Sequence, residues 1–135
     1  MKILYAEDEA EIRHLTAESL TRGGFDVVIA EDGNEAWEKY LGGEEYDLIL
    51  LDNFMPEKTG MQILEEIRER GDNILVVMLT SLIFPEMRTL ADACIEKNWN
   101  FEKLTCDLKS IIAKGRKPIP PKKKTFWEKL FGKKK

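Results

Sequence analysis

Four polar positions, each just after a run that reads as a strand, carry the chemistry of this chain. They are Glu7-Asp8-Glu9, Asp52, Thr80 and Lys97. Three acids in a row repel one another unless water or a cation lies among them. Two or three clustered carboxylates with a backbone carbonyl make a hard oxygen site suited to Mg2+, which keeps several waters and favours phosphate partners. An aspartate beside such an ion can act as a nucleophile and form an aspartyl phosphate. A lysine ammonium would stabilise the charge on the phosphoryl group, and a threonine hydroxyl could donate to one of its oxygens. Each residue also has a plainer reading. Asp52 could simply cap a turn or the following helix. Glu7-Asp8-Glu9 could be the acidic first turn of a helix, and Lys97 a solvated lysine.

The elements that position these residues follow from periodicity. Tyr46–Gly60 reads Y-D-L-I-L-L-D-N-F-M-P-E-K-T-G. Its run Leu48–Leu51 is too short for a typical helix and predicts a strand buried on both faces, ending at Asp52. Residues 2–6, 25–30 and 74–79 read as further strands, and Ala93–Glu96 more weakly as a fifth. Helices are predicted over 10–22, with Ile12, Leu15, Ala17 and Leu20 inward. Others are predicted over 35–41 with Asn34 as cap, 61–70, 85–92 opened by Pro85, and 101–113. Strands alternating with helices imply a doubly wound α/β fold, a five-stranded parallel sheet with right-handed crossovers. In such a sheet all the strand-end residues share one edge, where open α/β sheets bind ligands.

Several classes are disfavoured. The chain has 135 residues, with 43% hydrophobic and 34% charged, enough for one domain with a real core. Its two cysteines, Cys94 and Cys106, lack metal-ligand spacing. Neither G-x-x-x-x-G-K-[ST] nor G-x-G-x-x-G occurs, so a nucleotide cradle is not supported. His14 sits among polar neighbours and reads as a solvated helix residue. The absence of a signal-like or membrane-spanning run predicts a cytoplasmic protein. The net charge of −4 is unevenly divided. Residues 114–135 hold ten Lys/Arg and one acid (+9), whereas residues 1–113 hold 11 Lys/Arg and 24 acids (−13). An acidic body argues against nucleic-acid binding.

E-D-E after the first strand, L-L-D-N-F-M-P-E-K-T-G around the third, L-T-S after the fourth and E-K-N-W after the fifth together resemble the receiver domain of bacterial two-component response regulators. The resemblance covers about residues 2–113. It implies a flavodoxin-like sheet of order 2-1-3-4-5 and a stand-alone signalling domain, not an enzyme. It also implies that Asp52 accepts a phosphoryl group from a sensor histidine kinase or phosphotransfer protein. Asp8 and Asp52 with the Phe54 backbone carbonyl would bind Mg2+, with Glu7 assisting. Thr80 would sense the phosphoryl group and Lys97 would pair with it. Phosphorylation-dependent contacts would reach an output protein that the sequence does not name. A small hydrolase using Asp52 as its nucleophile is disfavoured, because no second general acid stands near it in sequence.

Three departures from the family pattern bear on switching. Sixteen residues separate Thr80 from Lys97, fewer than is usual, so the fourth helix should be short or irregular. The aromatic switch position is Cys94, which has no ring to swing. The family's Lys-Pro is Lys97-Asn98, and a cis bond before Asn costs roughly 3–4 kcal/mol, so a trans bond is expected. These departures favour the alternative of a receiver-like adaptor or localisation module that works without phosphorylation.

The domain plan read from the sequence is a receiver at 1–114, a Pro/Lys-rich linker at 115–124 and a basic amphipathic segment at 125–135. Thr125 and Glu128 have capping-box spacing. Phe126, Trp127, Leu130 and Phe131 would share one helical face among lysines, as in helices that lie on anionic membranes. Peripheral contact with the inner membrane surface is the corresponding expectation, with a docking peptide for a protein partner, or an end with no specific role, as its alternatives.

Overall fold

Residues 1–115 are described by the structure, a computed structural model, and within them strands and helices alternate. The order is β1 (Lys2–Ala6), α1 (Ala10–Arg22), β2 (Asp26–Ala30), α2 (Gly33–Leu41), β3 (Leu48–Leu51), α3 (Gly60–Glu69), β4 (Leu75–Thr80), α4 (Pro85–Leu90), β5 (Ala93–Glu96) and α5 (Phe101–Lys114). All pairings are parallel and the strand order is 2-1-3-4-5, as the sequence led us to expect. The linker beyond Gly115 and the segment 125–135 lie outside the described residues.

Side chains alternate across a strand, and the central strands use both faces. Leu4, Ile49, Leu51, Val76 and Met78 pack with Ile63, Leu64 and Ile67 of α3 and Met87 of α4. Ile3, Tyr5, Leu48, Leu50, Val77 and Leu79 pack with Ala17 and Leu20 of α1 and Leu104 and Leu108 of α5. Continuous apolar runs such as Leu48–Leu51 are therefore required: a polar residue at any of those positions would meet one layer of helices.

The register of α1 differs from the sequence expectation. Its buried face is Arg13, Thr16, Ala17 and Leu20, an i, i+3, i+4, i+7 stripe, while Leu15 is 48% exposed. The apolar pattern misled because Arg13 is a buried residue with polar partners. The cap of α2 is also corrected. Asp32, not Asn34, accepts the Glu35 amide at 2.8 Å. The helix opens on Gly33 because a Cβ there would stand 1.7 Å from the Lys58 carbonyl oxygen.

The fourth helix is short, as expected, and ends at Leu90 instead of Asp92. What stops it is a polar clamp. Arg68 donates to the carbonyls of Leu90 (2.9 Å), Asp72 (3.0 Å) and Ile74 (2.8 Å). Asp92 takes the Arg68 guanidinium at 3.0 Å and the Val76 amide at 2.9 Å. The peptide bonds of the described residues are all trans, including Lys97–Asn98.

Candidate functional site

Three of the sheet's parallel ladders continue one residue past their strands, and this sets the site. The Glu7 amide donates to Ala30 O, Asp52 to Ala6 O and Lys97 to Thr80 O, each at 3.1 Å. Because Ala6 pairs with Leu51, the next residues, Glu7 and Asp52, fall side by side. One carboxylate oxygen from each of Glu7, Asp8 and Asp52 lies within 4.8 Å of the other two. Lys97 reaches in from beyond β5, with Nζ 2.7 Å from Glu7 Oε1 and 3.3 Å from Asp52 Oδ1. Glu7, Asp52 and Thr80 are buried, and Asp8 opens to solvent.

The electrostatics follow from that burial. Desolvation raises the Glu7 carboxyl, with Lys97 pulling it down and Asp52 pushing it up. Asp8 is raised as well, by partial desolvation and then by Glu7. Burial opposes the charge on Lys97, but its bond to Glu7 and the fields of Asp52 and Glu7 outweigh that and hold it above the ordinary lysine range. The site thus holds concentrated negative charge answered by one ammonium. That donor set fits a hard divalent cation: oxygen ligands only, close enough for one ion, with an exposed side left for water.

Asp52 does not cap α3. That helix is capped by a reciprocal box in which Thr59 Oγ1 accepts the Gln62 amide at 3.1 Å and Gln62 Oε1 accepts the Thr59 amide at 2.9 Å. The loop between β3 and α3 is instead knotted by Asn53. Its carbonyl takes the Met55 and Gly60 amides, and its side chain takes the Met61 amide at 2.9 Å. Gly60 closes the loop because a Cβ there would lie 2.3 Å from the Asp52 carbonyl oxygen. Phe54, the second residue after Asp52, is 52% exposed.

The Thr80 hydroxyl is fully buried and accepts the Leu82 amide at 3.4 Å, tying it to the β4–α4 loop. Cys94 sits half-buried in β5, paired with Met78 and packed on the α2–α4 side of the core. Sequence reasoning missed two residues that shape the site, Asn53 and Arg13. The Arg13 guanidinium donates to the carbonyls of Glu7 (2.9 Å) and Asp8 (3.3 Å), fixing the acidic loop from α1. The one available signal was a basic residue six positions after Glu7 that completes the 13-16-17-20 stripe.

The family model for the response regulator receiver domain matches residues 3–109. The chain is 36% identical over 122 residues to the transcriptional regulatory protein CpxR homolog of Haemophilus influenzae, covering 87% of this chain and 52% of that protein. It therefore spans about half the length of such relatives. Response regulator TrrA of Thermotoga maritima, solved in complex with Mg2+-BeF, superposes with a TM-score of 0.72 at 33% identity, covering 82% of this chain and 97% of that one. The Francisella response regulator 1452 receiver domain shares the fold, with a TM-score of 0.76 at 24% identity over 84% of this chain and 97% of that one. With its sheet order, its clustered edge carboxylates and these likenesses together, the chain belongs to the response regulator receiver domain family.

Proposed function

We propose that Asp52 accepts a phosphoryl group from a phosphohistidine on a sensor histidine kinase or phosphotransfer protein. In that step an Asp52 carboxylate oxygen bonds to phosphorus, the P–N bond breaks, and the imidazole leaves with the electron pair and takes a proton from solvent. The observation that supports this most is the placement of Asp52. It is 4% exposed at the end of a central strand, with the Lys97 ammonium 3.3 Å away. Glu7, Asp8 and Asp52, with the Phe54 carbonyl, would hold Mg2+, which when bound neutralises charge gathering on the phosphoryl oxygens. Lys97 would pair with the product dianion, and the Thr80 hydroxyl would donate to it.

The consequence would travel through Thr80. A hydroxyl drawn toward a phosphoryl oxygen gives up its contact with the Leu82 amide, so the β4–α4 loop changes its set of bonds. Leu82 and Phe84 in that loop are exposed and would present a phosphorylation-dependent surface to an output protein.

The alternative is an adaptor that works without phosphorylation, and one experiment separates the two. The protein is incubated with Mg2+ and a small phosphodonor and its intact mass is read. Gain of one acid-labile phosphoryl group is expected, with loss of that gain in Asp52→Asn and of its Mg2+ dependence in Asp8→Ala. Uptake by Asp52→Asn at the wild-type rate would refute the nucleophile. No uptake by the wild type would favour the adaptor.

A further inference from the structure

The edge of the sheet opposite Asp52 carries a groove that the phosphoryl chemistry does not use. It has a volume of about 640 Å³ and lies between the α2–β3 and α3–β4 loops. That size falls within the roughly 300–1,000 Å³ of sites that hold compact ligands. Its apolar part is made by Tyr40, Tyr46 and Leu41, the last 47% exposed. Its acids are Glu44, Glu45, Asp47 and Asp72. Lys2 pairs with Glu44, and the Asp47 carboxylate takes only the Lys2 backbone amide, at 2.7 Å. Glu45 has no ion pair among the described residues. The lone basic residue in the lining is Arg70, whose guanidinium lies 5.8 Å from the Tyr40 ring centroid. An exposed surface that joins aromatic rings to acids in excess calls for an occupant of the opposite charge with apolar side chains.

We propose that this occupant is the chain's own basic segment, residues 122–135, docking in cis. Three observations converge on it. First, charge is complementary: residues 114–135 carry +9 and residues 1–113 carry −13. Second, the side chains match, because the pairs Phe126-Trp127 and Leu130-Phe131 stand among lysines, so aromatic packing and ion pairing are offered together. Third, the chain beyond α5 is long enough. Helix α5 packs with α1 on the face of the sheet away from α2 and α3, so the segment has to pass round the sheet to reach the groove. Six residues, 116–121, separate Gly115 from that segment, and six residues of chain can reach about 20 Å at most. That reach exceeds the roughly 13 Å radius of gyration of a domain this size. The acidic groove along α3, lined by Glu57, Glu65 and Glu69, offers the same charge without an apolar floor, and so matches only half of the segment.

The docking is independent of phosphoryl acceptance and is tested separately on the full chain. Zero-length carbodiimide coupling at low salt, read by peptide mass spectrometry, is expected to join lysines of 122–129 to Glu44, Glu45 or Asp47 within one chain. Replacing Trp127 and Phe131 by Ala should shift the amide resonances of 40–47 and 72–74, leaving Asp52, Thr80 and Lys97 in place. Added salt should move the same groove resonances in the same direction, because screening weakens the ion pairs. Glu44→Gln with Glu45→Gln should free the segment and tighten binding of the full chain to phosphatidylglycerol vesicles. Groove resonances untouched by the aromatic substitutions would overturn the proposal. Couplings found only in linked dimers would assign the groove to a second copy. Equal vesicle binding by wild type and the Glu44/Glu45 variant would leave a membrane surface as the segment's sole partner.

Discussion

Replacing Lys97 by Met tests the electrostatic account of the site most directly. The substitution keeps the apolar stem and removes the ammonium that stands 2.7 Å from Glu7 and 3.3 Å from Asp52. Side chains exposed to 1% and 5% are then left as two buried carboxylates facing each other. Stripping one partner from a buried pair costs roughly 3–5 kcal/mol, a large part of the ~5–15 kcal/mol that stabilises a domain. The loss should depend on pH, and its sign is fixed. Burial already raises the Glu7 carboxyl, and losing Lys97 raises it further. A carboxyl whose folded pKa lies above its unfolded value favours folding fully below the unfolded value. That contribution disappears as pH climbs through the folded value. The variant is therefore least compromised in mild acid. Its deficit against wild type grows by about 1.4 kcal/mol per pH unit between the Glu7 pKa values of the two proteins.

Urea unfolding near pH 5 and near pH 8 measures this, with a deficit at the higher pH approaching the ~3–5 kcal/mol of a broken buried pair. Glu7→Gln in the same background should recover much of the loss, because the second buried charge is gone. Mg2+ at about a hundredfold over its Kd should return about 2.7 kcal/mol by mass action. Equal deficits at both pH values, with no recovery in the double variant, would refute the reasoning.

Gly60→Ala places a Cβ 2.3 Å from the Asp52 carbonyl oxygen, so backbone must move. A cost of about 1–3 kcal/mol is expected from overpacking, with slower phosphoryl uptake at Asp52; denaturant midpoints and uptake rates measure both. Amide exchange should divide the β4–α4–β5 segment in two. Residues 81–84, with exposed Leu82 and Phe84, should exchange fast. Met87 and Ala91, both fully buried, should be protected; their amides donate to Phe84 O (3.1 Å) and Met87 O (2.8 Å). Uniformly fast exchange through Ala91 would mean that the Arg68–Asp92 clamp does not hold α4.

What could be read in the sequence was whatever rests on apolar runs and on chain order. Leu48–Leu51 and Ile74–Leu79 read as buried strands, and a run of alternating strands and helices places every strand end on one edge. That alone brought Glu7, Asp8, Asp52, Thr80 and Lys97 together on paper. The parts that stayed hidden depend on polar side chains bonding to backbone outside their own element. Arg13 drew no attention because its partners are carbonyls of the preceding loop, which no pattern displays. The α1 face was therefore set one step off, with Leu15 inward. Asn53 stood in the loop after β3 with no role assigned to it, yet it ties both ends of the β3–α3 loop. The end of α4 was read two residues late because its stop signal is a guanidinium on α3, twenty-two positions before Leu90.

The position of Lys97 bears on how a receiver without an aromatic switch could still respond. In the resting geometry the ammonium is shared, nearer to Glu7 than to Asp52 by 0.6 Å (2.7 against 3.3 Å). A phosphoryl group on Asp52 would present a dianion with several acceptor oxygens, and charge-assisted bonds to such a group are about twice as strong as neutral ones. Lys97 would then shift from Glu7 toward the phosphoryl group. Glu7, buried and already raised, would be left to a cation or a proton. The backbone is tied to the site here: the Lys97 amide is bonded to the Thr80 carbonyl at 3.1 Å, and the Thr80 hydroxyl accepts the Leu82 amide. Both arms of the proposed response thus meet at Thr80, one strand away from Cys94, and neither passes through the Cys94 side chain. A ring at position 94 is therefore not needed for the Leu82–Phe84 surface to change, and Cys94→Ala should leave phosphorylation-dependent exchange at residues 81–84 intact.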